Sequence, residues 1–215
     1  MENFARYTYV TMLRVKNLTF AFKNRPLFQN ISFDVKAGQL TRLAGSNGSG
    51  KSTLLGLITG LISGAEDAVS YNGDTDFREW TSWIAPDANG LIPTMSATAN
   101  LSFWLELRGL SSDITKLRET LTTWGLTGDW VQSSLPVARF STGMKRRLAL
   151  ARLLLEDTKL WLLDEPLFGL DDAACQQFRD ALKKHLSQGG AGIVVTHDDR
   201  LLEDLNPQTI YLGAQ

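Results

Sequence analysis

The sequence predicts an α/β fold: strands and helices alternating around a parallel sheet, with a block of helices set into the middle of the chain. Three observations carry this. A buried-strand candidate at Leu40–Ala44 leads through glycines into a helical pattern, the strand-loop-helix order of a parallel sheet. The C-terminal third repeats the alternation. Between them, residues 97–155 show helical periodicity with no strand pattern.

Taken in order, residues 13–22 and 31–35 alternate apolar and polar side chains and are broken by Asn24, Pro26 and Gly38, which suggests strands and turns. After the glycines, Thr53, Leu54, Leu55, Leu57, Ile58 and Leu61 have the spacing of a helix buried against a sheet. The middle block reads as three helices, residues 98–107, 114–124 and Thr142–Leu155, with Gly109, Gly125 and Gly128 between them. Beyond it, Leu160–Asp164 is apolar, 172–186 amphipathic and 192–196 apolar, followed by 201–205 and a last short strand near Ile210. His185, beside Lys183 and Lys184 on the amphipathic helix, is expected in solvent.

With 215 residues the chain suffices for one well-buried domain. Its 22 basic and 23 acidic residues leave a formal net charge of -1, which lacks the single-sign field of a nucleic-acid binder, so DNA or RNA is not expected as a partner. One cysteine, Cys175, can pair with nothing in its own chain and fits a reducing compartment. The N-terminal dozen residues lack the apolar stretch and cleavage site of a secretory signal, so a cytoplasmic location is expected. Residues 88–105 carry no charge, yet their asparagines, serines and threonines are too polar for hydrocarbon, which leaves an uncharged docking face as the reading.

Residues 45–52 read GSNGSGKS, a full match to G-x-x-x-x-G-K-[ST] in its required strand-to-helix context. Gly45, Gly48 and Gly50 free the backbone to turn its amides inward, so that Ser46, Asn47 and Ser49 join them in a phosphate cradle, with Thr53 on the helix behind. Lys51 supplies an ammonium for the β- and γ-phosphates, and the Ser52 hydroxyl is a hard ligand suited to Mg²⁺. The buried run ending in Asp164 and Glu165 delivers two carboxylates to the sheet's carboxyl edge. Asp164 suits Mg²⁺ through water; Glu165, next along the strand and pointing to the opposite face, suits a general base on the attacking water. His197, which follows the apolar strand in the run VVTHD, can donate to a γ-phosphate and orient that water.

Residues 140–144, FSTGM, followed by KRRLALAR, complete a set of elements whose order resembles the ABC ATPase family. Ser141 is a good N-cap and Gly143 keeps the backbone open, so the helix start offers amides to an anion. The resemblance covers nearly the whole chain. It implies a P-loop NTPase ABC cassette with a RecA-like parallel-sheet core, an antiparallel β subdomain and a helical insert. The core would take about residues 12–86 and 157–215, the helical subdomain about 88–155, and 1–11 would be a disordered extension. It implies ATP and Mg²⁺, a second copy of the ATPase in a head-to-tail dimer in which Ser141 and Gly143 meet the partner's ATP, and transmembrane permease subunits at the cytoplasmic face of the inner membrane. Phe22 matches the family's adenine-stacking aromatic, with Phe20 as its rival, and Leu170 and Asp171 match the loop that contacts the other subunit.

The chain also departs from the family pattern. The family's Mg²⁺-linked glutamine should fall in WIAPDANGLIP, where no glutamine stands; Asp87 aligns with it, and Asn89 is second. Thr142 and Met144 replace the usual glycine and glutamine. Within the family, GSNGSGKSTLLGLITGL, LWLLDEP and SQGGAGIVVTH most resemble the haem-exporter ATPases of bacterial cytochrome c maturation. Exporter ATPases for drugs, lipids or polysaccharide, a non-transport ABC switch protein and a degenerate cassette that only binds ATP are the alternatives.

Overall fold

The computed structural model describes residues 11–22, 25–71, 81–86 and 90–213. Strands β1 (Thr11–Phe22) and β2 (Arg25–Lys36) pair antiparallel, and β4 (Val69–Tyr71) adds to the other side of β1. Pro26 is accommodated because β2 is the sheet's edge, where a missing N–H breaks no ladder. Residues 1–10 of the expected extension lie outside the described residues. Thr11 is already paired with Lys36, so it belongs to β1 and not to that extension.

A second sheet is parallel throughout, in the order β5-β6-β7-β3-β8, built from β5 (Thr81–Ile84), β6 (Leu160–Asp164), β7 (Ala191–Val195), β3 (Leu40–Ala44) and β8 (Gln208–Tyr211). Every residue of β6 and β7 is buried, as strands covered on both faces require. The two-residue period sorts their side chains. Leu160 and Leu162 face the core shared with the antiparallel sheet and α1 (Lys51–Ile58), while Trp161 and Leu163 face α4 (Thr142–Leu155) and α5 (Asp172–Ser187).

A third core cluster holds α2 (Ala97–Leu107), α3 (Ile114–Thr123) and one face of α4 together. Side-chain caps start these helices: Ser96 accepts from the Ala99 amide at 3.3 Å, Asp113 from Thr115 at 2.8 Å and Ser141 from Met144 at 3.2 Å. A π-helical turn at Trp130–Ser134 buries Gln132, which donates to the Leu126 carbonyl at 2.8 Å and the Thr122 hydroxyl at 3.0 Å.

Four expectations are corrected. Leu61 is exposed, because α1 ends at Ile58 and Gly60 turns the chain away. Residues 201–205 form no helix of their own; a 3-10 turn at Asp199–Leu201 stands there. His185 is not in solvent: its ring lies flat on Trp161 with centroids 3.8 Å apart, and Nε2 is 3.1 Å from the Ala191 carbonyl. The uncharged stretch is only partly a face. Ala97, Thr98, Asn100, Leu101 and Leu105 are buried, so much of its lack of charge comes from packing inside the helical block.

Candidate functional site

The loop between β3 and α1 is shaped by close approaches that only glycine permits. Gly45 has φ 148, and a Cβ there would stand 2.1 Å from the Leu212 carbonyl oxygen, where the Leu212 amide closes onto Ala44 at 2.7 Å. Gly50, at φ 94, caps α1 with its Cβ position 3.0 Å from the Phe28 ring. The loop is partly bonded to itself. The Ser49 amide donates to the Ser46 carbonyl at 3.1 Å, and Lys51 Nζ donates to the carbonyls of Gly45 and Ser46 at 2.9 and 3.0 Å. Ser46, Asn47 and Gly48 remain exposed, while Ser49 and Lys51 are buried.

A cleft of about 370 Å³ opens over this loop, lined by Asn47, Gly48, Gly50, Lys51, Ser52 and Thr53 on one side and by Asp164, Glu165 and His197 on the other. Asp164 closes β6 almost wholly buried. Glu165 does not continue the strand, as alternation would have it. It turns left-handed at φ 48, and its amide donates to the Val195 carbonyl at 2.8 Å, which brings both carboxylates to one cleft. The His197 amide donates to Glu165 Oε2 at 3.4 Å, and the imidazole Nε2 lies 3.7 Å from Oε1. The His197 side chain itself is 65% exposed, free to meet a ligand.

Phe22 stands exposed at the end of β1, outside this lining, whereas its rival Phe20 is packed against the core and stacks with Phe28 at 6.2 Å. Leu27, which the sequence pattern did not single out, lines the cleft. Asp87 and Asn89 lie outside the described residues; the neighbouring Pro86 lines the cleft.

Ser141, Gly143 and Asp171 form a separate constellation. A Cβ on Gly143 would be 2.7 Å from the Gly169 carbonyl, so the start of α4 is pressed onto the loop before α5. Asp171 caps α5 by accepting from the Ala174 amide at 2.9 Å and pairs with Arg147 of α4. The Ala174 amide is the main cause holding the Asp171 carboxyl below its usual range, with Arg147 adding to it.

Two further arginines of α4 were visible in the sequence only as part of a basic helix. Arg146, fully buried, donates to the carbonyls of Ala85 at 3.1 Å and Pro86 at 2.6 Å. Arg152 donates to Gly90 at 3.1 Å and Trp83 at 3.0 Å, lies over the Trp104 ring and pairs with Glu156 at 3.3 Å. Glu156 is in turn bonded to Ser82, so α4 grips both sides of the segment that carries residues 87–89. A charged residue inside the apolar run LALARLLL is the signal that could have found Arg152.

The family model described as ABC transporter matches residues 28–168. The cytochrome c biogenesis ATP-binding export protein CcmA of Vibrio vulnificus is 34% identical over 208 residues, covering 94% of this chain and 100% of that protein. Its namesake in Ruegeria pomeroyi is 37% identical over 194 residues, covering 87% and 85%. The solved ATP-binding subunit of an ABC transporter superposes with a TM-score of 0.83 at 26% identity, covering 94% of this chain and 86% of that one. A dimeric ATP-binding cassette in a post-hydrolysis state with ADP and Pi gives a TM-score of 0.77 at 25% identity, covering 94% of each.

Proposed function

The chain belongs to the ABC transporter family as an ATP-binding subunit, and on that premise we propose that it hydrolyses ATP to power haem export for cytochrome c maturation through separate membrane subunits. The single observation that carries hydrolysis is the convergence of Lys51, Ser52, Asp164, Glu165 and His197 on one cleft at the carboxyl ends of β3, β6 and β7. The haem reading rests on the likeness to the CcmA export proteins of Vibrio and Ruegeria.

In this reading the exposed backbone of residues 46–48 and the first turn of α1 take the phosphate oxygens. Lys51 leaves the carbonyls of Gly45 and Ser46 for the β- and γ-phosphates. Glu165 accepts a proton from the attacking water, and His197 holds the γ-phosphate end in line. The buried carboxylate of Asp164 and the hydroxyl of Ser52 form a hard-oxygen pair on the same cleft, a donor set that fits Mg²⁺. When bound, Mg²⁺ would offset phosphate charge. Asp87 is proposed as a further ligand, and Phe22 as the adenine platform.

Ser141, Gly143 and Asp171 lie outside the cleft of their own chain, which supports a head-to-tail pair in which each copy completes the other's site. The membrane subunits are proposed to dock on the outer side of the helical block, where Leu107, Leu110 and Ile114 are exposed beside the uncharged stretch. Among the described residues no helix is long and apolar enough to cross a membrane. A peripheral place on the cytoplasmic face of the inner membrane follows from that docking.

The test is a calorimetric titration of the full chain with Mg-ATP alongside phosphate release. The parent should bind and turn over, and Lys51→Ala should lose about tenfold or more in affinity. Unchanged affinity in that variant would remove the cradle. For the cargo, deleting the gene should abolish covalent haem in c-type cytochromes; unaltered haem attachment would refute haem export.

A further inference from the structure

The segment after β7 carries a set of ion pairs that the reaction above does not use. Asp198 follows His197, and its amide donates to the Thr196 hydroxyl at 3.0 Å. Its carboxylate accepts the Arg200 amide at 3.0 Å and caps the 3-10 turn that leads to the fully buried Leu201. The same carboxylate takes the Arg200 guanidinium as a fork, Nε to Oδ1 at 2.9 Å and Nη2 to Oδ2 at 2.6 Å. Arg200 Nη1 then crosses to Asp172 Oδ1 at 2.7 Å. That carboxylate belongs to the first residue of α5.

Asp172 adjoins Asp171, and the two neighbouring carboxylates are divided. Asp171 is bound by Arg147 of α4, whereas Asp172 is bound by Arg200 of the His197 segment. An exposed ion pair on its own contributes little, because water screens it and two long side chains must be ordered. Here the guanidinium is already ordered by its fork to Asp198, so reaching Asp172 fixes little more. Asp172 is 95% exposed, the most exposed carboxylate in this chain of pairs.

We propose that Arg200 is a positioning residue that ties the His197 segment to the Asp171-Asp172 start of α5, so that the state of one copy's own nucleotide is passed to the face it presents to the second copy. The inference rests on the hydrolysis and pairing proposed above. When His197 moves with the γ-phosphate, Asp198 and Arg200 move with it. The pull reaches Asp172, and through Asp171 and Arg147 the start of α4 that carries Ser141. A second copy seated on this face would exclude water from the Arg200–Asp172 pair and lessen its screening.

The experiment compares ATP binding and turnover by the full chain with Arg200→Ala, Arg200→Lys, Asp172→Asn and the double variant Arg200→Ala/Asp172→Asn. Affinity for ATP should stay within about twofold, kcat should fall about five- to tenfold, and cooperativity in ATP should drop towards a Hill coefficient of about 1. The double variant should be no worse than either single one, because both remove the same contact. Arg200→Lys, which keeps charge and loses the fork, should fall between. Asp172→Asn changes only an exposed side chain, so its fold is not at risk. Turnover by the parent with parent-like kcat and cooperativity in Arg200→Ala would overturn the positioning role alone, as would losses that multiply in the double variant. A parent that binds no ATP would remove the underlying reading as well.

Discussion

The imidazole of His185 lies parallel to the indole of Trp161, with an interplanar angle of 6° and centroids 3.8 Å apart. Gly190 makes room for it, since a Cβ there would stand 2.3 Å from the ring. Burial is the main cause that lowers the His185 pKa from 6.5 to about 4; the nearby Lys159 charge acts in the same direction. The folded protein therefore keeps this group neutral while the unfolded chain protonates it below its ordinary value. Stability from His185 is present above pH 6.5 and is lost as pH falls towards about 4, by about 3 kcal/mol in all. Urea unfolding at pH 7 and pH 4.5 should show His185→Phe losing less stability over that interval than the parent. Equal losses would mean that the histidine is not held neutral.

The glycines of the loop between β3 and α1 should differ sharply in tolerance. Gly45→Ala places a methyl 2.1 Å from the Leu212 carbonyl and 2.7 Å from Ser49 Oγ, so β8 must leave β3; a loss above about 3 kcal/mol is expected. Gly48 is also left-handed, at φ 81, yet nothing lies within 4 Å of its Cβ position. Gly48→Ala should therefore lose only the backbone term, about 1 kcal/mol. Chemical denaturation of both variants makes the comparison, and equal losses would contradict the close contact at Gly45.

What the sequence revealed of this fold was what local pattern encodes. β6 and β7 were readable because central parallel strands are nearly continuous apolar runs, β3 because it leads straight into the glycine loop and α1, and Thr142–Leu155 because Ser141 marks its start. β4 and β5 are three and four residues long, too short for any period to register. His185 was misplaced because its lysine neighbours set the local character, while the ring's partner, Trp161, is far away in sequence. The cleft was legible as separate motifs. The turn that brings Glu165 beside Asp164, and the grip of Arg146 on residues 85–86, arise only when distant segments meet.

Arg146 should prove a structural link between α4 and the cleft. Arg146→Met keeps an apolar stem of similar length but leaves the Ala85 and Pro86 carbonyls without this donor, at a loss of about 2–4 kcal/mol. Because Pro86 lines the cleft, ATP affinity should weaken as well. Thermal unfolding and an ATP titration together check this. Destabilisation with unaltered affinity would separate the grip from the site.

Glu165 gives the sharpest test of the chemistry. Its left-handed backbone, its amide bond to Val195 and its contact with the His197 amide hold the carboxylate at the cleft. Glu165→Gln preserves volume and the acceptor for that amide but cannot take a proton. ATP affinity should remain within about twofold, while turnover falls about 10²-fold or more, the range in which a general base contributes. With hydrolysis arrested, the ATP-bound pair should persist, so light scattering should find dimers on ATP addition with Glu165→Gln and mainly monomers without nucleotide. A variant that turns over at the parental rate would assign proton transfer to another group, and His197→Ala would then be the variant that stops it.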